Sequence, residues 1–231
     1  MNDRELHAHL IGQQGGRKAF NTPVLVIDLD MLERNIAAMA AFAKERGIAL
    51  RPHAKTHKSA DIAEKQIAAG AVGVCCAKLG EAEAMADGGV GGILITSPVV
   101  SPPAIKRLTR LNALIPDLRV TVDNPANVAA LAEAAQGAGK PLQVLIDIDP
   151  GIRRTGVPSP EAAVKVGRSI DGSPSLVCLG VQYYCGREQH VESYADRRSA
   201  VEDRTTYLGE VIAALADIGM APTVITGGGT G

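Results

Sequence analysis

The feature that most constrains this chain is a regular alternation of short, almost wholly apolar runs with longer stretches of helical period. The runs are Val24 to Leu29, Ile48 to Pro52, Val72 to Cys76, Gly92 to Thr96, Leu118 to Asp123, Leu142 to Ile148, Leu176 to Gln182 and Pro222 to Thr226. Most are rich in β-branched residues and lack the apolar/polar alternation of a half-exposed sheet, as expected of strands covered on both faces. Between them, Leu32, Ile36, Met39 and Ala43 form a helical stripe that should stop at Gly47. Leu208, Val211, Leu215 and Ile218 form another that should stop at Gly219. Asn124-Pro125 and Ser159-Pro160 place a capping side chain and a proline where helices should begin. Strands that recur with a helix between them imply βα units and a parallel sheet.

A doubly wound sheet and a (β/α)8 barrel both satisfy that pattern, and the number of units favours the barrel. With 231 residues, 46% of them hydrophobic, the chain can bury the core such a domain needs. The formal net charge of −1 gives no electrostatic reason to expect nucleic acid or an anionic membrane as partner. Aromatic residues are too scarce, with Trp absent, for a stacking surface for single strands. No apolar run approaches a membrane span, and Met1 to Gly16 is polar, unlike a secretory signal, so the cytoplasm is the expected compartment. Cys75 and Cys76 are adjacent inside an apolar run and read as core strand rather than disulfide or metal site. The sequence stops at a glycine loop, Thr226 to Gly231, directly after a strand candidate. The expectation is therefore a piece of a longer protein.

Parallel sheets and barrels carry their chemistry where strands end and loops begin, and four polar clusters stand there. Arg51 to Ser59 (RPHAKTHKS) reads either as a solvated basic loop or as a lysine pointing into a cavity. In the second reading, desolvation and neighbouring cations lower the pKa of the amine, as a Schiff-base lysine requires. Lys55 suits that role better than Lys58, which is expected on the following helix. Asp149 to Val157 (DPGIRRTGV) is either a turn with exposed arginines or a site loop whose Gly151 and Gly156 permit a tight path. Val181 to His190 (VQYYCGREQH) clusters Tyr183 and Tyr184, and its His190 is either a base over the cavity or a surface histidine at a helix start. Thr226 to Gly231 (TGGGTG) can expose successive backbone N–H groups as an anion nest for phosphate, although glycine-rich turns are common.

Taken in order, TPVLVIDLDMLERNI, RPHAKTHKS, VGVCCAKLGEAEAMADGG, ILIT, DPGIRRTGV, GVQYYCGREQH and TGGGTG resemble the D-threonine aldolase, 3-hydroxyaspartate aldolase and D-serine dehydratase family. These are fold-type III pyridoxal-phosphate enzymes, and the resemblance runs from about Asn21 to the last residue. It implies an α/β fold, a (β/α)8 TIM-type barrel of the alanine-racemase N-terminal type, incomplete at its C-terminus. That barrel would span residues 21–231 behind a polar segment, residues 1–20, with a second, C-terminal domain absent from the chain. By the same analogy Val24 to Leu29 leans on the second domain and the final barrel strand lies beyond Gly231, leaving an open barrel.

The resemblance also implies roles. Lys55 matches the lysine that carries pyridoxal 5'-phosphate, and Arg154 the arginine facing the pyridine nitrogen. Tyr184 and Thr96 match cofactor-side residues, Gly227, Gly228, Gly229 and Thr230 the phosphate-binding turn, and His190 the base toward the substrate hydroxyl. Ala77 departs from the pattern, because some members have Gln there beside the cofactor. A divalent metal is expected in the second domain, and no metal ligand in this chain is named. The implied activity is that of a lyase, an aldolase cleaving β-hydroxy-D-amino acids of the D-threonine or 3-hydroxyaspartate type to glycine and an aldehyde. It would act on a small-molecule amino acid as a homodimer when full length, and this chain alone would be inactive. A D-serine dehydratase-like lyase, a racemase and a non-catalytic pyridoxal-phosphate homeostasis protein remain the alternatives.

Overall fold

The computed structural model describes residues 3–229. Its helices are α1 (Asp3–His7), α2 (Leu29–Glu45), α3 (Ala60–Ala68), α4 (Leu79–Asp87), α5 (Pro102–Leu114), α6 (Pro125–Ala135), α7 (Pro160–Asp171) and α8 (Tyr194–Ala216). From α3 onward they alternate with β1 (Val74–Cys76), β2 (Ile93–Ile95), β3 (Leu118–Val122), β4 (Leu142–Ile148), β5 (Leu176–Tyr183) and β6 (Val224–Gly227). The six strands form one sheet in the order of the sequence, every neighbouring pair parallel. No described strand joins β6 back to β1, so the fold is an incomplete parallel barrel, open along one seam.

Burial explains the lack of polar alternation in the strands. Val120, Val122, Val144, Ile146, Ile148 and Val181 share one buried core with Leu108 of α5, Leu131 of α6, Val166 of α7 and Leu215 of α8. Cys75, Leu94 and Leu145, with Val224 packed against them, form a second, smaller cluster. Each such side chain stabilises the fold by about 1.5–3 kcal/mol. The helix starts follow the cap residues: Asn124 Oδ1 accepts from Ala126 N at 2.8 Å and Ser159 Oγ from Ala162 N at 3.2 Å, each ahead of a proline at the first helical position. Gly47 and Gly219 follow the ends of α2 and α8 with φ of 63° and 79°.

Three expectations are corrected. Val24 to Asp28 is extended but no strand, with Leu25 98% exposed, and Leu29 already belongs to α2, capped by Asp28. Apolar, β-branched composition makes a strand only where a neighbour supplies the ladder, and none of the described strands pairs with this segment. Ile48 to Pro52 likewise forms no strand of its own. It does run along β1, with Val72 N donating to Leu50 O at 2.9 Å, Cys75 N to Pro52 O at 2.8 Å, and a bridge between His53 and Cys75. Lys58 is not on a helix. Ser59 caps α3 by accepting from Ile62 N, so Lys58 stays in the preceding loop at φ 51°.

Register then assembles the site. Asp147 lies opposite Gln182, and Gln182 opposite Thr226, at the carboxyl ends of three neighbouring strands. Side chains far apart in sequence are thereby brought into one layer, where barrels carry their chemistry.

Candidate functional site

A cavity of about 470 Å³ opens at the carboxyl ends of the strands, and its wall includes Lys55, Thr96, Arg154, Tyr184, Gly227, Gly228 and Gly229. Seven of the residues expected from sequence thus meet in one place. His190 does not line this cavity. It borders an adjoining hollow of about 460 Å³ that shares Arg154, Tyr184 and Gln189 with it. Thr230 lies outside the described residues. Lys55 sits on a 3-10 turn, Ala54–Thr56, rather than on a strand end, and its side chain is exposed rather than desolvated.

The turn bearing Lys55 is tied to the sheet through His53. The Nδ1 of His53 accepts from the backbone N–H of Lys55 at 3.3 Å, and its Nε2 lies 3.3 Å from Thr96 Oγ1. Thr96 Oγ1 in turn donates to Cys76 O at 3.2 Å. The hydroxyl proton is therefore committed to the Cys76 carbonyl, so Nε2 of His53 carries the ring proton and Nδ1 is the acceptor. Burial, and then the nearby Lys55 cation, push His53 down to about 4, which keeps the ring neutral near pH 7. Sequence reading missed His53 in this role, although its place in the same H-x-K segment was available as a signal.

Arg154 and Tyr184 come from different loops. The guanidinium of Arg154 stands 5.2 Å from the Tyr184 ring centroid, and Nζ of Lys55 stands 5.8 Å from it. Both cations therefore flank one aromatic ring. The loop carrying Arg154 is pinned by carboxylates: Asp149 Oδ1 accepts from Gly151 N at 2.9 Å and Arg153 N at 3.0 Å, and Asp123 Oδ2 accepts from Gly156 N at 2.9 Å. Beneath the cavity, Gln182 Nε2 donates to Asp147 Oδ1 at 2.9 Å and to Thr96 O at 3.2 Å. Burial pushes the Asp147 carboxyl up to about 6, against hydrogen bonds from Gln182 and Thr155 that lower it. Asp147 and Gln182 escaped the sequence reading because each sits within an apolar strand run. A lone polar residue near the carboxyl end of such a run was the signal that could have found them. Gln189, whose Nε2 donates to Tyr184 Oη at 3.4 Å, was missed because nothing local marks it.

The glycine turn closes the wall opposite. A Cβ on Gly227 would stand 2.1 Å from Tyr183 O, and Gly228 has φ 106°, a conformation open to glycine at little cost. Among the described residues Arg51, Lys55 and Arg154 line the cavity and no carboxylate does. Arg51 is already engaged by Gly92 O and Asp117, which leaves Lys55 and Arg154 as the cations facing a ligand. A phosphate group fits the bare backbone of the turn, an aldehyde fits the exposed amine, and a flat ring fits beside Tyr184. These residues accordingly suit pyridoxal phosphate. Ala77 also lines the cavity, with a side chain that can make no hydrogen bond.

Fold and site together define a parallel βα barrel, open along one seam, with a cation-lined cavity at the carboxyl ends of its strands. Residues 27–231 match the alanine racemase N-terminal domain, and the chain belongs to that family. It is 42% identical to the 3-hydroxy-D-aspartate aldolase of Paracoccus denitrificans (strain Pd 1222), over 91% of this chain and 54% of that protein. It is 36% identical to the D-threonine aldolase of an Arthrobacter species, over 91% of this chain and 55% of that protein. The crystal structure of D-threonine aldolase from Filomicrobium marinum superposes with a TM-score of 0.86 at 40% identity, covering 90% of this chain and 56% of that one. The chain thus spans about half the length of the relatives it matches. Among the described residues no helix is long and apolar enough to cross a membrane.

Proposed function

We propose that the whole protein is a pyridoxal-phosphate-dependent lyase that cleaves β-hydroxy-D-amino acids to glycine and an aldehyde. The observation that carries this reading is the meeting of Lys55, Arg154, Tyr184 and the Gly227–Gly229 turn in one cavity free of carboxylates. Residues 21–231 are read as the cofactor-binding barrel and residues 1–20 as a polar lead-in. Lys55 holds the cofactor covalently, and the glycine turn with Thr230 holds its phosphate. Arg154 would stand on the side of the pyridine nitrogen, and a guanidinium, which does not deprotonate, would keep that nitrogen without a proton. His53, neutral and bonded to Thr96, keeps the Lys55 turn in register with the sheet. When bound, pyridoxal phosphate supplies the electron sink for charge left at the substrate α-carbon.

His190 removes the proton of the β-hydroxyl as the bond between the α- and β-carbons breaks. Its place in the hollow beside Arg154 and Tyr184 supports that role. A divalent metal is proposed for the whole protein; among the described residues there is no group of three or more His, Cys, Asp or Glu suited to one. A dehydratase would use the same cavity with Lys55 as the base toward the α-proton, and His190 favours the aldolase. The test is to incubate the full-length protein, pyridoxal phosphate and a divalent metal with D-threonine and with D-3-hydroxyaspartate. Glycine and an aldehyde are expected. Ammonia and a 2-oxo acid would replace this reading with a dehydratase, and absence of turnover would sink both.

A further inference from the structure

The hollow beside the main cavity carries a second pattern. Arg187 heads the short 3-10 turn Glu188–His190, and His190 N donates to Arg187 O at 3.2 Å. Side chains three positions apart on a 3-10 turn eclipse one another. Arg187 and His190 accordingly share a face, and both line the hollow together with Arg154. The carboxylates nearest in sequence are spent elsewhere. Glu188 turns inward, 6% exposed, with Oε1 3.6 Å from Arg204 Nε on α8. Asp149 accepts from the backbone of Gly151 and Arg153. Arg187 enters no ion pair among the described residues, and no carboxylate lines the hollow.

We infer that this hollow takes the distal carboxylate of a dicarboxylic substrate with Arg187 as its partner, which makes Arg187 the residue that sets preference between 3-hydroxyaspartate and threonine. The inference rests on the lyase reading above and extends it. In 3-hydroxyaspartate the hydroxyl and the second carboxylate hang on the same carbon. A base and a guanidinium eclipsed on one turn match that pair, His190 at the hydroxyl and Arg187 at the carboxylate. A guanidinium grips a carboxylate through two parallel N–H···O bonds, a geometry that a methyl group cannot answer. A charge-assisted bond at a partly exposed site discriminates on the order of tenfold or more.

The test measures binding of D-aspartate and D-alanine, neither of which has a hydroxyl, to the full-length, cofactor-loaded protein by titration calorimetry. The wild type should prefer D-aspartate. Arg187→Met should lower that preference about tenfold, Arg187→Lys should restore part of it, and added salt should weaken aspartate binding in the wild type. Equal weakening of both ligands in Arg187→Met would place Arg187 at the α-carboxylate and overturn the proposal. So would an unchanged preference, or a wild type with none. Failure of the lyase reading looks different: D-3-hydroxyaspartate would yield no glycine while the preference for aspartate, and its loss in Arg187→Met, persisted.

Discussion

The amine of Lys55 stands 5.8 Å from the centre of the Tyr184 ring, although the two residues are 129 positions apart in sequence. Lys55 comes from the turn after the segment that runs along β1, and Tyr184 from the end of β5. Arg154 approaches the same ring at 5.2 Å. A cation over an exposed ring gains about 0.5–1 kcal/mol, so Tyr184 helps to order both cations before any ligand arrives.

Lys55 alone among the lysines lines the main cavity. In the full-length protein with pyridoxal phosphate, Lys55→Ala should abolish the near-visible absorption band of the bound cofactor. Lys58→Ala, at a residue that does not line the cavity, should keep it. The reverse outcome would reassign the cofactor lysine.

His190 borders the side hollow and not the cavity that fits the cofactor. His190→Ala should therefore retain the absorption band, with cleavage of β-hydroxy-D-amino acids falling by about 10²–10⁴, the range for loss of a general base. Single-turnover measurement of glycine release checks this. A mutant as fast as the wild type would hand the hydroxyl proton to another group.

Gly227 has no space for a side chain, because a Cβ there would meet Tyr183 O at 2.1 Å. Gly227→Ala must displace the turn or loosen the β5–β6 pairing, at a cost of about 1–3 kcal/mol. Fluorescence titration should show weaker binding of pyridoxal phosphate by about tenfold, and thermal unfolding should show a lower midpoint. Unaltered affinity would remove the glycine turn from the phosphate site.

Buried Asp147 and half-buried His53 pull stability in opposite directions with pH. Asp147 is raised from 3.8 to about 6, so its contribution is full below about pH 4 and is lost as pH rises through 6. His53 is lowered from 6.5 to about 4, so its contribution is full above about pH 6.5 and is lost as pH falls through 4. For Asp147 this amounts to about 3 kcal/mol at 1.36 kcal/mol per pH unit, and for the half-exposed His53 solvent screening makes it smaller. In the wild type the two partly offset. Relative to wild type, Asp147→Asn should gain stability as pH rises from about 4 to about 6.5, and His53→Gln should gain as pH falls over the same range. Urea unfolding across that range measures both. Parallel curves for the two variants would contradict the assignments.

How far the sequence reaches can be judged residue by residue. Parallel βα architecture was legible because it is written locally: unbroken apolar runs such as Leu142 to Ile148, caps at Asn124 and Ser159, and stops at Gly47 and Gly219. These depend on dihedral preferences and on burial of both sheet faces, which need no knowledge of distant partners. The placement of Lys55, Arg154, Tyr184 and Gly227 after strand candidates was legible for the same reason, since parallel strands all end on one side. Their meeting in one cavity was an expectation that register made into geometry.

Other features were decided only by tertiary structure, because they depend on what a residue meets. Val24 to Asp28 has the composition of a strand, yet none of the described strands pairs with it. Ile48 to Pro52 is held to β1 by a few hydrogen bonds and forms no ladder of its own. The proton on Nε2 of His53 follows from Thr96 and Cys76, both remote in sequence. The same is true of Asp147, an apparent flaw in an apolar run until Gln182 lies opposite it. His190 parts from Lys55 into its own hollow through the fold of one short turn. The sequence by itself determined the alternation of strand and helix from Ala60 onward and at which end of the strands chemistry can sit. Hydrogen-bond partners, protonation and the division into two cavities came from contacts between segments, and no local pattern records those.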